Sequence, residues 1–185
     1  MRNKKLYITR IINDLQKNQL RNAKNILWVI TLQFYTENMI DKKHIGYEFL
    51  PVTVPVEEGR LKFLAKALGE TGDIYTNPDA AIAAGLPGLL APPTFPFMLE
   101  IDALDLVAFM SLLGESLEKL LHGEENFKYF APIYAGDKIT VCKKIIDIID
   151  KKEGTLQFVI SENTFTNQAG EIVAETRTNY VFHHK

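Results

Sequence analysis

Four histidines and one cysteine are the side chains of this chain best suited to proton transfer or nucleophilic attack near neutral pH. His122 stands where an apolar stretch gives way to a strand-like one, so its imidazole is expected either to cap a helix C-terminus or to contact a ligand. Cys142 falls inside a strand-like run and is interpreted as an inert small hydrophobe. His44 is assigned to a linker, and His183 and His184 to an exposed C-terminus. We expect no metal site, because no group of these side chains has metal-ligand spacing.

Composition excludes several classes of protein. The 185 residues suffice for one domain with a hydrophobic core, and contents of 46% hydrophobic and 24% charged residues are those of a soluble globular protein. The net charge of −2 does not favour nucleic acid as a partner. No glycine-rich phosphate loop or Ser/His/Asp arrangement is present. A single cysteine cannot form an internal disulfide, so the cytoplasm is the expected compartment.

The first 38 residues differ from the rest of the chain. They hold seven Lys or Arg and two acidic residues, a net charge of +5, which leaves −7 for residues 39–185. Their apolar run, Ile26 to Tyr35, is much shorter than the roughly 18 to 20 residues that span a bilayer, so no transmembrane segment is predicted. We interpret residues 1–38 as a basic extension, poorly ordered or loosely docked, with a membrane-surface helix as the alternative. Residues 39–185 are then a single domain.

The pattern of residues 47–185 indicates an α+β fold. Prolines make residues 49–56 extended, helical spacing predicts a helix over 57–68, and residues 69–93 form a long loop with a short helix at 78–84. The apolar stretch Leu104–Leu121 predicts one long helix. Four strands are predicted at 127–133, 137–149, 155–167 and 171–183, the last with Ala174, Thr176, Thr178 and Tyr180 on one face. We therefore expect a curved antiparallel sheet wrapped around the Leu104–Leu121 helix.

Five short motifs follow one another along residues 59–140. They are Gly59–Gly69 (GRLKFLAKALG), Asn77–Ala81 (NPDAA), Ala91–Phe95 (APPTF), Leu121–Pro132 (LHGEENFKYFAP) and Ala135–Thr140 (AGDKIT). Together they resemble the MaoC-like dehydratase family, in particular its N-terminal, fatty-acid-synthase-type dehydratase domain. The resemblance covers residues 44–182 and implies the hot-dog fold, in which a sheet wraps around one helix.

The resemblance also implies a reaction, the reversible addition of water across the 2,3 double bond of an enoyl thioester. The substrate would be carried on coenzyme A or acyl carrier protein, and no nicotinamide, flavin or metal is needed. Family members that catalyse this reaction use an Asp and, five residues later, a His. Those positions fall on Glu70 and Tyr75, so both catalytic residue types are replaced. A phenol ordinarily titrates near pH 10 and an imidazole near 6.5, which makes Tyr a poor substitute for His.

The resemblance further places Pro93, Thr94 and Phe95 beside the substrate, with Thr94 and the following backbone amides as candidate oxyanion donors. A rigid turn that enters a helix is the alternative interpretation of this segment. His122 is the remaining candidate for substrate contact.

Three hypotheses about function follow from the replaced catalytic pair. The chain is the degenerate half of a paired dehydratase, which helps to shape the substrate tunnel beside a second hot-dog subunit with an intact Asp/His pair. Alternatively, it is a homodimeric hydratase with an altered Glu/Tyr pair or a different thioester reaction, or a non-catalytic protein that binds acyl thioesters. A homodimer or heterodimer is expected in each case.

Overall fold

The computed structural model describes residues 39–184, and the expected basic extension at residues 1–38 lies outside them. Five strands form one antiparallel sheet in the order β1-β3-β4-β5-β2. The strands are β1 Val52–Pro55, β2 Leu120–Tyr129, β3 Lys138–Lys151, β4 Leu156–Thr166 and β5 Ile172–His183. With the helices packed against this sheet, the predicted α+β architecture is confirmed.

The last three strands form the predicted meander. Strand β3 pairs with β4 and β4 with β5, both antiparallel. The two connections contain Gly154 and Gly170 at φ of 86° and 82°, a left-handed conformation that costs glycine little. The alternation predicted for β5 is also confirmed, because Ala174, Thr176, Thr178 and Tyr180 are all buried on the face toward the helices.

Within residues 39–184, five α-helices follow the first strand in the chain. They are α1 Glu58–Leu68, α2 Asp73–Thr76, α3 Pro78–Ala83, α4 Phe95–Ala103 and α5 Leu106–Leu113. Asn77 caps α3 as expected, since its side chain accepts from the amide of Asp79 at 3.0 Å. No helix among residues 39–184 is long and apolar enough to cross a membrane.

The single long helix predicted over Leu104–Leu121 is wrong. Leu104 is extended, and the Asp105 side chain accepts from the Ala108 amide at 2.9 Å, which starts α5 as a separate helix. Gly114 then ends α5 in the left-handed conformation at φ 71°. After a 3-10 turn at Leu117–Lys119, the chain enters β2 at Leu120, seven residues before the predicted strand start. Apolar Leu120 and Leu121 fit a helical pattern equally well, so periodicity alone did not separate the two elements.

Helices α4 and α5 pack against the sheet in two separate apolar clusters. Phe95 and Leu99 of α4 pack with β1, with the first residues of β3 and β5 and with the end of β4. Phe109 and Leu113 of α5 pack with later residues of β3 and β5 and with the start of β4. The enclosed element is therefore a pair of helices with a break between them.

Candidate functional site

A cleft of about 420 Å³ lies at the N-terminal end of α4. The loop before α4 forms one wall and the end of β2 with the following residues forms the other; the lining includes Tyr75, Pro93, Pro96, Tyr129, Phe130 and Ile133. Backbone bonds hold the loop in place, from the Ala91 amide to the Ile133 carbonyl at 2.8 Å and from the Leu90 amide to the Ile74 carbonyl at 3.0 Å. None of the lining residues is charged.

The two walls meet through a tyrosine. The hydroxyl of Tyr129 donates to the carbonyl of Pro93, and burial raises the pKa of this phenol. Tyr129 therefore acts as a hydrogen-bond donor here and stays protonated at neutral pH. The remaining surface of the cleft is mostly apolar, which suits an aliphatic ligand.

The structure brings the two predicted dyad positions together beside this cleft. Gly69 ends α1 at φ 71°, so Glu70 begins the loop, and α2 carries Tyr75. A Cβ on Gly72 would stand 3.1 Å from both the Glu70 Oε1 and the Tyr75 Cδ2. Tyr75 lines the cleft, whereas Glu70 does not. The Glu70 Oε1 accepts from the Gly72 amide at 2.8 Å, which ties the carboxylate to the loop backbone.

The segment Pro93 to Phe95 enters α4 as a turn. Pro93 lines the cleft and Thr94 is exposed, but the Phe95 side chain is fully buried in the core. The Phe95 amide donates to the Pro92 carbonyl at 2.9 Å and the Phe97 amide to the Thr94 carbonyl at 3.2 Å. Residue 96 is a proline and has no N–H. The amides after Thr94 are thus used within the turn, and the Thr94 hydroxyl is the exposed donor of this segment.

His122 lies elsewhere on the molecule. It belongs to β2, so the interpretation as a helix cap is wrong; α5 ended at Leu113. Its backbone is roughly 20 Å along β2 from Tyr129 at the usual rise per residue. The imidazole packs edge-on against the Phe97 ring, with centroids 5.2 Å apart.

Two further expectations from the sequence are corrected. Cys142 lies on the outer face of β3 and is exposed, since its neighbours Val141 and Lys143 take the inward positions. His184 is buried, with only 6% of its surface exposed. Its amide donates to the Thr155 carbonyl at 2.9 Å, which extends the pairing of β5 with β4 by one residue. Burial lowers the pKa of His184, and neither ring nitrogen has a hydrogen-bond partner among the described residues.

A buried polar layer separates the two apolar clusters, and sequence reasoning missed it. Lys143 of β3 donates to the Glu100 carboxylate of α4 and to the Tyr180 hydroxyl of β5, each at 2.7 Å. Thr178 donates to Glu100 at 3.0 Å, and Asn163 donates to Thr176 at 2.9 Å. These residues link α4 to three strands.

Charge pairing opposes the effect of burial at the centre of this layer. Burial acts to raise the pKa of Glu100, but the Lys143 charge and the hydrogen bonds to the carboxylate outweigh it, so the pKa is lowered. Burial lowers the pKa of Lys143 against the attraction of Glu100. A second cavity of about 270 Å³ at the other end of α4 reaches both groups. The alternation of β3 already placed Lys143 in line with inward-facing Ile139 and Val141, which was the available signal.

Among the described residues, 39–184, no three His, Cys, Asp or Glu side chains come close enough together to hold a metal ion.

With the geometry established, comparison with known proteins gives a consistent result. Residues 43–176 match a protein family described as the FAS1-like dehydratase domain region. A UPF0336 protein of Streptomyces avermitilis is 34% identical over 144 residues, which are 77% of this chain and 94% of the relative. A UPF0336 protein of Mycobacterium leprae is 31% identical over 123 residues, 66% of this chain and 76% of the relative.

Two solved structures are similar in fold. A MaoC-like dehydratase superposes with a TM-score of 0.66 at 25% identity, over 76% of this chain and 42% of that longer chain. The HadBC (3R-hydroxyacyl-ACP dehydratase) complex of Mycobacterium tuberculosis gives a TM-score of 0.65 at 22% identity, over 75% of this chain and 96% of its own. These similarities confirm the hot-dog fold and the resemblance to MaoC-like dehydratases.

Proposed function

Since this chain belongs to the family of FAS1-like dehydratase domain regions, we propose that it is the degenerate, substrate-shaping subunit of a paired hot-dog dehydratase. The pair would catalyse reversible hydration of an enoyl thioester in the cytoplasm, without nicotinamide, flavin or metal. One observation carries the proposal: the cleft beside Tyr75 and Pro93 offers an apolar surface but no carboxylate or imidazole.

The reaction needs a base for water, an acid for C2 and donors for the carbonyl oxygen. Glu70 keeps a carboxylate, but its Oε1 is engaged by the Gly72 amide and the side chain lies outside the cleft lining. Phenols in general are much poorer proton acceptors at neutral pH than imidazoles, so Tyr75 replaces His with a less suitable side chain. The chain can therefore supply walls and hydrogen-bond donors, while a second subunit supplies the acid and base.

A second hot-dog subunit is further supported by the apolar surface around the cleft. Tyr129 is 49% exposed and Phe130 50%, and Ile172 at the start of the neighbouring strand is 44% exposed. Contiguous exposed apolar groups of this kind mark interaction sites. Two of the similar structures are themselves complexes, HadBC and ChsH1-ChsH2 from Mycobacterium tuberculosis. The partner would be a copy of this chain or, as we propose, a different subunit with the Asp/His pair intact.

The test is hydration of crotonyl-coenzyme A, followed by loss of the enoyl thioester absorbance. We expect no hydration by the purified chain alone, and hydration by the mixture that exceeds the activity of an Asp/His-bearing partner alone. Replacement of Tyr129 by Phe removes the hydrogen bond across the cleft and should change the mixture's KM more than its kcat. Failure of the chain to bind or alter any hot-dog partner would refute the proposal.

One observation favours a second candidate. Because Glu70 and Tyr75 flank the same glycine, a homodimer with an altered Glu/Tyr pair is the alternative hydratase. Its signature would be activity of the chain alone that Glu70→Gln abolishes. Saturable binding of acyl thioesters with no activity in any mixture would instead identify a non-catalytic binding protein.

A further inference from the structure

The second cavity, of about 270 Å³, lies beside the break between α4 and α5. Ala103 and Ala108 of the two helices form one wall, and the chain before β1, with Tyr47 and Leu50, forms the other. Leu50 is 88% exposed and Tyr47 44%, so the cavity opens to solvent on this side. Among the described residues, none lines both this cavity and the cleft at the N-terminal end of α4, so the two are separate sites.

Buried polar side chains line the inner end of this cavity. Glu100 of α4, Lys143 of β3 and Asn163 of β4 all line it and are 2%, 6% and 0% exposed. The Lys143 Nζ lies 2.7 Å from both the Glu100 Oε1 and the Tyr180 hydroxyl, whereas its third partner, the Asn163 Oδ1, is 3.5 Å away. A contact of that length is at the limit of hydrogen bonding. One side of the amine is therefore available to a molecule in the cavity.

Lys143 has the surroundings of a nucleophilic amine. Burial lowers its pKa, and the nearby carboxyls of Glu100 and Glu125 only partly offset this effect. A larger share of the amine is therefore neutral at neutral pH than in an exposed lysine. The Glu100 carboxylate, at 2.7 Å, is placed to take a proton from Nζ and to return it. Buried lysines of lowered pKa are the ones that form Schiff bases with carbonyl compounds.

The lining of the cavity limits which carbonyl compounds fit. Its walls are mainly apolar and include Phe49, Val52 and Leu104, which suits an aliphatic chain. Two acidic residues, Glu100 and Asp105, also line it, and their charges disfavour an anionic ligand. Because the volume is smaller than that of pockets for drug-sized molecules, the ligand must be short. A short, neutral aliphatic aldehyde meets all three conditions.

We propose that this cavity binds a short aliphatic aldehyde and that Lys143 holds it as a Schiff base. Nζ gives one proton to Glu100, and the electron pair left on nitrogen forms a bond to the carbonyl carbon while the π pair moves onto oxygen. A second proton passes from nitrogen to that oxygen. Glu100 returns its proton to the resulting hydroxyl, which leaves as water as the nitrogen pair forms the C=N bond. The product is a protonated imine whose charge is paired with the Glu100 carboxylate.

The experiment incubates the full chain with butanal and cyanoborohydride at neutral pH and locates butylated lysines by peptide mass spectrometry. Hydride from cyanoborohydride adds to the imine carbon and leaves a stable amine. Lys144 is the internal reference, because it is the next residue, its side chain is exposed, and its ion pair with Glu48 raises its pKa. We expect Lys143 to be butylated about tenfold or more faster than Lys144, since each unit of pKa changes the neutral fraction tenfold. Glyoxylate, an anionic aldehyde, should label Lys143 no faster than Lys144.

Two variants of α5 separate entry into the cavity from reactivity at the surface. Ala108→Phe fills part of the cavity and should abolish the faster butylation of Lys143 while Lys144 is unchanged. Val107→Phe introduces the same ring at a neighbouring side chain that is 80% exposed and does not line the cavity, and it should leave both lysines unchanged. Unaltered circular dichroism would confirm that each variant folds.

The rates within wild type decide the proposal even if a variant fails to fold. Butylation of Lys143 that is no faster than that of Lys144 would overturn it. So would equally fast butylation of Lys143 in wild type and folded Ala108→Phe, or labelling of Lys143 by glyoxylate as fast as by butanal. None of these results bears on hydration of crotonyl-coenzyme A, so the function proposed above stands or falls separately.

Discussion

Glu125 lies on β2, and its replacement by Gln should stabilise the protein at alkaline pH. The pKa of this carboxyl rises from 4.5 to about 7 on folding because the side chain is buried beside Glu100. The unfolded chain releases the proton at lower pH, so wild-type stability declines as pH rises from 4.5 through about 7 and is constant above it. At about 1.4 kcal/mol for each tenfold change in proton affinity, the rise corresponds to roughly 3 kcal/mol. Solvent near the edge strand reduces this to about 2 kcal/mol.

Urea denaturation followed by circular dichroism at pH 4.5, 6 and 8 measures the effect. Glu125→Gln should exceed wild type by less than about 1 kcal/mol at pH 4.5, where the carboxyl is neutral in the folded chain and half ionised in the unfolded chain, and by about 2 kcal/mol at pH 8. Glu124→Gln is the control, since that carboxylate is exposed and accepts from the Asn179 side chain at 2.8 Å. A constant difference between Glu125→Gln and wild type at all three pH values would refute the reasoning.

Three further substitutions test features of the fold, namely the buried polar layer, the tight approach of β2 to β5 and the break between α4 and α5. Lys143→Met leaves the Glu100 carboxylate buried without its cation and should lower the free energy of unfolding by about 3 to 5 kcal/mol in urea denaturation. Adding Glu100→Leu to the same chain should restore most of this loss. A small loss for the single variant would contradict the buried ion pair. Gly123 lies in a β-bulge of β2, between His122 and Glu124. Gly123→Ala forces a Cβ to within 2.7 Å of the Val181 Cγ2 and should lower stability by about 1 to 3 kcal/mol; an unchanged midpoint would show that the bulge tolerates a side chain. Asp105→Ala removes the cap of α5 and should cost about 1 kcal/mol by thermal denaturation, and no loss would mean that packing alone sets the helix break.

The sheet was predictable because each long strand carries its own signal. Alternation in β5 and the glycines of the two connections gave the meander directly, and inward residues of β5 proved to be buried. The helices were less predictable than the strands. Leu104 and Leu120 both continue an apolar pattern, although the chain is extended at each of them. The break between α4 and α5 depends on the Asp105 side chain, which accepts a hydrogen bond from the Ala108 amide and so starts a new helix. Composition does not reveal this contact.

Prediction of the sites met a similar limit. Glu70 and Tyr75 could be placed through the motifs around them, and the structure puts them side by side. Phe95 could not be separated from the cleft lining, because whether a side chain of a turn points outward or into the core depends on packing. The approach of the His122 Nε2 to the Glu125 Oε2, at 3.7 Å on β2, could not be predicted. Residues three apart in a regular strand point to opposite faces, and here a β-bulge between His122 and Glu124 changes the alternation.

The central claim is that the cleft holds an acyl thioester but lacks the groups that would hydrate it. The most direct measurement is the rate of crotonyl-coenzyme A hydration by the purified chain, compared with the variant that carries both Glu70→Asp and Tyr75→His. The account predicts a rate at the buffer background for wild type and a gain of about 100-fold or more for the double variant. Hydration by wild type that Glu70→Gln abolishes would contradict it.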